Sequence, residues 1–484
     1  MKNTQRLYLI LLVLLTVFTV TACAKDKGPA VTTGSVTTTT APVTTTLAPG
    51  IYDKKDNLIA SWDELVNTYG LDVEKYYDFS NYEKDPSSPH VVFFEKLGLT
   101  NVTQKNKIKL VLGDVKKIGS NAFMNVDNIY EVIINDGVEK IGAYAFSECS
   151  NLESVVLPES IKFIGREAFG STGKLDEIHI SSMQAWCSID SESYFVDKKL
   201  YLNGELVENL VIPYGITTIK PHIFSGFKSI KSVVIPNTVT TISGYAFNGC
   251  TRLEEITIPD SVTIINGYAF AKCIGLKKVN LSANLIALGE CAFSSCESLT
   301  SIVLPEGLSI LGGYVFGQCT NLKSITIPST VTMIDAKVFS GCNNIVEINV
   351  SEANTNYKSV NNCLMEVYGK LIIGTQVNNI PEDVSYIGDR AYYGKTEIET
   401  VILPNGVLQI GDASFSGCTN MTSISIPKSV IKIEDNAFSG CLKLASINYS
   451  GTIEEWNAKD FEGMVKFTPT IKEIICTDGV IALD

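Results

Sequence analysis

The stretch from Leu253 to Gly275, LEEITIPDSVTIINGYAFAKCIG, returns along the chain with a fixed period. Aligned on the aromatic of its AF pair, the copies fall at Phe123, Phe146, Phe169, Phe224, Phe247, Phe270, Phe293, Phe316, Phe339, Tyr392, Phe415 and Phe438. Nine of those eleven intervals are 23 residues. A unit this short cannot close a core by itself. A constant period of this size therefore predicts a solenoid, in which each copy buries its apolar side against the next.

Within the quoted unit Leu253, Ile256 and Ile258 alternate with Glu255 and Thr257, the period-two pattern of a short strand with one buried face, and Pro259 ends it. A second apolar pair, Val262 and Ile265, recurs as Val239/Ile242, Leu285/Leu288 and Val331/Ile334, and predicts a second short strand or bend on the opposite wall. Ala269, Phe270 and Cys273 follow at a spacing that one helical turn places on a single inward stripe. Each coil thus carries about eight inward apolar side chains.

The L-x-x-I-x-I core followed by P-x-x-V-x-x-I-x-x-x-A-F-x-x-C resembles the BspA-type leucine-rich repeat of bacterial surface proteins, over roughly Ile108 to Asn448. The resemblance implies an α/β repeat solenoid of short strands stacked into parallel sheets. One departure stands out: where the general repeat carries Asn, this chain has Ser160, Thr238, Ser261, Gly307, Thr330 and Ser429, with Asn only at Asn284. A hydroxyl can bond a neighbouring backbone group, but a continuous Asn ladder is not expected.

The chain of 484 residues has a formal net charge of −13, and no basic stripe interrupts its repeats. That balance argues against nucleic acid, whose binding rests on clustered Lys and Arg. Of thirteen cysteines, eight (Cys149, Cys250, Cys273, Cys296, Cys319, Cys342, Cys418 and Cys441) sit three residues after the repeat aromatic. Stacked coils bring such thiols to about 5 Å, a distance that permits a bridge, but their parallel directions favour packing as small hydrophobes. Cys187, Cys291, Cys363 and Cys476 lie outside this ladder.

From the start of the chain, residues 1–22 carry Lys2 and Arg6, an apolar run from Leu7 to Val20, and small residues, the pattern of an export signal. Val20-Thr21-Ala22-Cys23 resembles a bacterial lipobox, which implies cleavage before Cys23 and lipid on its sulfur; an ordinary signal with an incidental Cys23 is the alternative. Residues 23–50, rich in Thr, Pro and Gly, read as a disordered tether. Residues 51–106 form a non-repeat N-terminal cap, in which Ser61-Trp62-Asp63-Glu64 predicts a capped short helix. The many aromatics here, Trp62 to Phe94, serve either to cover the first coil or as a ligand platform. The solenoid spans 107–450, with irregular coils near 180–209 and 350–380, and 451–484 caps the end. Ile178 to Trp186, in the first irregular coil, parallels Ile447 to Trp456, and these Trp-containing segments are expected to bulge from one edge.

No H-E-x-x-H, paired C-x-x-C or EF-hand loop occurs, so neither metal nor other cofactor is expected. Cys187 lies eight residues from His179, but nothing marks an orienting third group or an oxyanion site, and the chain does not read as an enzyme. What remains is the outward face of the first strand. Its central row reads Ile133, Val156, His179, Val234, Thr257, Asn280, Val303, Thr326, Asn349, Ile402, Ser425 and Asn448, without Lys, Arg, Asp or Glu. Thr257, Asn280, Val303, Thr326 and Asn349 are the candidate ligand-binding face. The resemblance implies a surface-anchored adhesion protein, with a host or bacterial surface protein as partner and the membrane reached only through the lipid. Capture of polysaccharide and a non-binding envelope spacer stand as alternatives, although a glycan site more often presents exposed aromatics, which this row lacks.

Overall fold

The computed structural model describes residues 47–67, 107–375, 380–459, 461 and 468–483. The export signal, Cys23, the tether up to residue 46 and the aromatics from Tyr69 to Phe94 lie outside the described residues.

Each regular coil contributes two strands, and one sequence period is one step of the stack. Glu255–Thr257 pairs in parallel with Ser232–Val234 on one side and Lys278–Asn280 on the other, with Ile256 opposite Val233 and Val279. The second pair forms two-residue strands, Ile264–Ile265 lying between Thr241–Ile242 and Ala287–Leu288. The eight inward residues of the quoted coil, from Leu253 to Cys273, are each at most 2% exposed. A buried Leu, Ile or Phe contributes about 1.5–3 kcal/mol, so every coil is held by its neighbours on both sides.

The AF segment differs from the expected helical turn. It is a run of hydrogen-bonded turns in which residues at positive φ, such as Tyr268 (59°) and Lys272 (60°), recur at intervals of four. Alternate amides close turns, Ala269 to Asn266 O, Ala271 to Tyr268 O and Cys273 to Phe270 O. The others reach the next coil: Tyr268 N–H donates to Glu290 O at 2.9 Å, Phe270 to Ala292 O at 2.8 Å and Lys272 to Ser294 O at 2.7 Å. A helix would spend these amides internally. Stacking wins because it makes a third ladder beside the two strand ladders, against a cost of roughly 1–2 kcal/mol for each non-glycine residue in the left-handed region.

Side chains add further ladders. The spine aromatics stack nearly parallel, Phe247 on Phe270 at 5.2 Å and 6° and Phe270 on Phe293 at 5.3 Å and 4°. All eight ladder cysteines donate S–H to the spine carbonyl of the preceding coil at 2.8–3.3 Å, as Cys296 does to Phe270 O. Burial pushes the Cys149, Cys273, Cys418 and Cys441 thiols up to about 12, which keeps the proton that the bond requires. Every cysteine of the described residues is buried and free. The hydroxyls that replace Asn also bridge coils: Ser160 Oγ accepts from Gly137 N–H and donates to Val138 O, and Thr330 repeats this with Gly307 and Leu308. An Asn ladder does exist, two residues after the cysteine, where the Nδ2 groups of Asn151, Asn321, Asn344 and Asn420 each donate to a carbonyl 24 residues earlier.

Antiparallel strands close both ends. Gly50–Tyr52, paired with Leu58–Ser61, lies against Ile108–Leu112, and α1 (Trp62–Asn67) follows with Ser61 Oγ accepting Glu64 N–H. At the other end Gly479–Ala482 folds back on Glu473–Cys476. The first irregular coil remains in the stack rather than only bulging from it, since Asp190–Ser191 and Lys199–Leu202 extend both strand ladders. Its helix α2 (Met183–Ser188) buries Trp186, whose Nε1 donates to Ile223 O at 3.1 Å, and Phe195 carries the spine from Phe169 to Phe227. The parallel segment near the C-terminus likewise forms α3 (Ile453–Asn457), with a capping box between Thr452 and Glu455 and Trp456 buried.

The second irregular coil is an antiparallel meander, Tyr357–Val360, Cys363–Glu366 and Lys370–Ile373. Side chains there replace missing ladder partners: Tyr357 Oη accepts Ile334 N–H at 2.9 Å, and Asn354 Nδ2 donates to Pro328 O and Val331 O. In the following coil the place of the ladder cysteine is taken by Lys395. It is 2% exposed, and its longer side chain reaches Cys342 O and Asn343 O at 3.4 and 3.1 Å. Burial lowers its ammonium from the ordinary 10.5 to about 8.

Cys296→Val is expected to fold normally and lose at most about 1–2 kcal/mol in urea unfolding, since Phe270 O keeps its turn bond from Cys273 N–H. Lys395 sets a pH dependence. Between pH 8 and 10.5 the unfolded chain binds more protons at this site than the folded chain, so its contribution to stability rises with pH there; below pH 8 the burial penalty is fully present. Comparing unfolding of wild type and Lys395→Met at pH 7 and pH 10 is expected to show this rise in the wild type relative to the variant.

Candidate binding face

From Glu255–Thr257 to Glu347–Val350 the first strand of each coil alternates between a buried inward residue and an exposed outward one, whereas in Ile108–Leu112 Val111, opposite Ile133, is buried. Over the alternating coils the inward residues are buried, so the outward residues alone are free to meet a partner. Thr257, Asn280, Val303, Thr326 and Asn349 are all exposed, Val303 at 77%. They stand in register: Thr257 opposite Asn280, and Val303 opposite Thr326, which is in turn opposite Asn349. Asn280 Nδ2 donates to Thr257 Oγ1 at 3.0 Å, tying two rungs together. The strands of Asn280 and Val303 adjoin but belong to separate hydrogen-bonded sheets, so the five residues form two short rows end to end.

Strand register corrects the composition of the row. Tyr201, in the irregular coil, lies opposite His179, and Val211, which stands 13 residues before Phe224 as Val234 does before Phe247, lies opposite Val234. Ile475 extends the row beyond Asn448. The irregular coil and the tail carry no AF pair, so alignment on that pair skips their strands. The row therefore does hold aromatic surface: the His179 and Tyr201 rings stack at 4.6 Å, and Glu177 accepts from Tyr201 Oη at 3.3 Å while meeting His179 Nε2 at 3.1 Å. At the opposite end of the hydrophobicity range, Val234 and Ile402 are 59% and 71% exposed.

Charges beside the row pair with each other across coils. Lys199 meets Asp176 at 2.6 Å, Lys231 meets Glu208 at 2.7 Å and Lys277 meets Glu254 at 2.9 Å. Such exposed pairs contribute about 0–1 kcal/mol each. The lone cysteine–histidine proximity of the sequence does not become a nucleophile and base. His179 is held on the outer face by Glu177, whereas Cys187 is core, its thiol pushed up to about 12 by burial. Among the described residues no group of three or more His, Cys, Asp or Glu side chains is arranged to hold a metal ion.

A family model described as the BspA type leucine-rich repeat region matches the chain over residues 93–196, 116–253, 195–284, 240–365 and 374–479. Among solved structures, the chain is similar to a leucine-rich repeat protein from Bacteroides ovatus, at 24% identity over 76% of this chain and 91% of that one, with a TM-score of 0.43. It is similar also to a leucine rich cell surface protein from Faecalibacterium prausnitzii, at 23% identity over 74% and 94%, with a TM-score of 0.43. The pneumococcal vaccine antigen PcpA matches at 17% identity over 72% and 78%, with a TM-score of 0.37. No curated protein matches the chain.

Inward and outward residues are expected to separate cleanly on substitution. Phe270→Ala should cost roughly 3–5 kcal/mol, whereas Val303→Ser should stay within about 0.5 kcal/mol of wild type; thermal unfolding of the two variants measures both.

Proposed function

The chain belongs to the BspA-type leucine-rich repeat family, and we propose that it is a lipid-anchored protein of the bacterial cell surface whose strand face attaches it to a host or bacterial surface protein. The observation that carries this reading is the outward row itself. It runs from coil to coil without a charge, Val234, Val303 and Ile402 are more than half exposed, and Thr257, Asn280 and Thr326 supply hydrogen-bonding groups between them. Dehydrating such a row costs little, and its apolar members gain from contact. Anchoring rests on Val20 to Cys23. Two acyl chains hold a protein stably where one is marginal, because each buried methylene contributes about 0.8 kcal/mol, and the Thr-rich segment after Cys23 gives the solenoid reach. The role is binding, with no catalytic step.

Replacing Thr257, Val303 and Thr326 together by Lys is expected to leave the unfolding transition in place but to weaken attachment to immobilised host-matrix or bacterial-surface protein, because three charges must then be dehydrated at the contact. Normal attachment by that variant, with loss on deleting Ile180 to Asn209, moves the site to the irregular coil. Attachment by neither variant nor wild type leaves a spacer.

A further inference from the structure

The turn segments carry a second outward row, distinct from the strand face. The residue two places before the spine aromatic is aromatic in three successive coils, and these rings stack: His222 on Tyr245 at 4.8 Å and 14°, and Tyr245 on Tyr268 at 4.7 Å and 2°. At the head of this row Tyr194, from the first irregular coil, is splayed from His222 at 6.2 Å and 35° and is 47% exposed. The faces of Tyr194 and His222 are thus less covered by one another than those of the rings that follow. Both border a cavity of about 650 Å³, within the range of small-molecule sites, about 300–1,000 Å³.

The rest of the lining mixes apolar surface of Val196 and the stacked Tyr245 with polar groups, of which Ser225 is committed to Asn248 O. Gly226 and Gly249, in the left-handed region at φ 79° and 73°, leave part of its lining without side chains. The Asn248 amide, the Thr251 hydroxyl and the Lys272 ammonium border it, with Asp197 on the loop of Tyr194. Among the described residues none of these four side chains is held by a hydrogen bond or ion pair, and the buried His222 Nδ1 also has no partner. Asp197 and Lys272 cancel in charge, which removes any preference for a phosphate, a sulfate or an acidic sugar. Flat apolar surface beside several free donors and acceptors, at zero net charge, suits a ring with a C–H face and a rim of hydroxyls.

We propose that this cleft binds a short neutral oligosaccharide, with a pyranose against Tyr194 and His222 and its hydroxyls bonded to Asp197, Asn248 and Thr251. The site is independent of the strand face, so it survives if that face binds nothing.

Isothermal titration of the full chain with cellotriose, mannotriose and triacetylchitotriose tests it. Saturable binding of at least one trisaccharide is expected, weakened about tenfold or more by Tyr194→Ala or Asn248→Ala and unchanged by Val303→Lys on the strand face. Both cleft substitutions fall on the surface side of the turn row, and an unaltered unfolding temperature in either one qualifies it for the comparison. Absence of binding by all three sugars, or binding that persists in both cleft variants or falls equally in Val303→Lys, overturns the proposal. So does saturable binding of a triproline peptide with none of the sugars.

Discussion

The hydrogen bond from the spine residue of one coil to the carbonyl 22 residues later, as from Phe270 N–H to Ala292 O, governs how every other group in the coil is used. A 23-residue coil has too little interior to satisfy its own backbone, and each buried amide left without a partner costs about 1–3 kcal/mol. The neighbouring coil must therefore supply partners along its whole circuit. Two strand ladders do this on two walls, and alternating turn geometry does it on the third. The small polar residues then complete the circuit: the ladder cysteines reach the spine carbonyl, Ser160 and Thr330 reach the bend after the first strand, and Asn151 and Asn321 reach the turn after the cysteine.

The irregular coils show the same demand met by other means. Three of the four coils without a ladder cysteine, those of Phe123, Phe224 and Tyr392, have no regular coil before them to offer a spine carbonyl at the right place. Val126 and Phe227 fill two of these places by packing, while Lys395 spans the longer distance to carbonyls of the coil of Phe339. In the fourth, Thr172 Oγ1 turns back to Phe169 O. Tyr357 and Asn354 likewise give side-chain atoms where a strand would give backbone. An interruption of the repeat is tolerated because the bonds across it are remade, and it leaves the loop of Tyr194 to Asp197 standing beside the turn row.

The period, the inward residues and the two strands of each coil were legible because they depend on apolar spacing alone, as Leu253 to Ile265 show. The turn segment was not. Ala269, Phe270 and Cys273 have a spacing shared by a helical turn and by alternating turns, and only competition for the Phe270 amide decides between them. The sulfur bond of Cys296 was hidden for a similar reason, since a small buried residue and a buried donor look alike in sequence. On the candidate face, Thr257 to Asn349 were legible from alternation, as was Val211, which stands 13 residues before Phe224 as Val234 does before Phe247, but Tyr201 was not, because it enters the row through strand pairing in a coil that lacks the repeat's aromatic. The stacked His222, Tyr245 and Tyr268 occupy a position that the repeat pattern leaves open.

Function follows from what stacking leaves over. Positions that hold one coil to the next cannot also hold a ligand, so the proposed binding is assigned to outward residues of the strands and turns. The stacked frame is thus the premise of both proposed sites, and amide hydrogen exchange tests it most directly. If the turn segments form a third ladder, the amides of Phe247, Phe270 and Phe293 exchange as slowly as those of the strand residues Ile256 and Val279. Rapid exchange at these three amides, at the rate of open surface turns, with the strand amides still protected, would contradict the account.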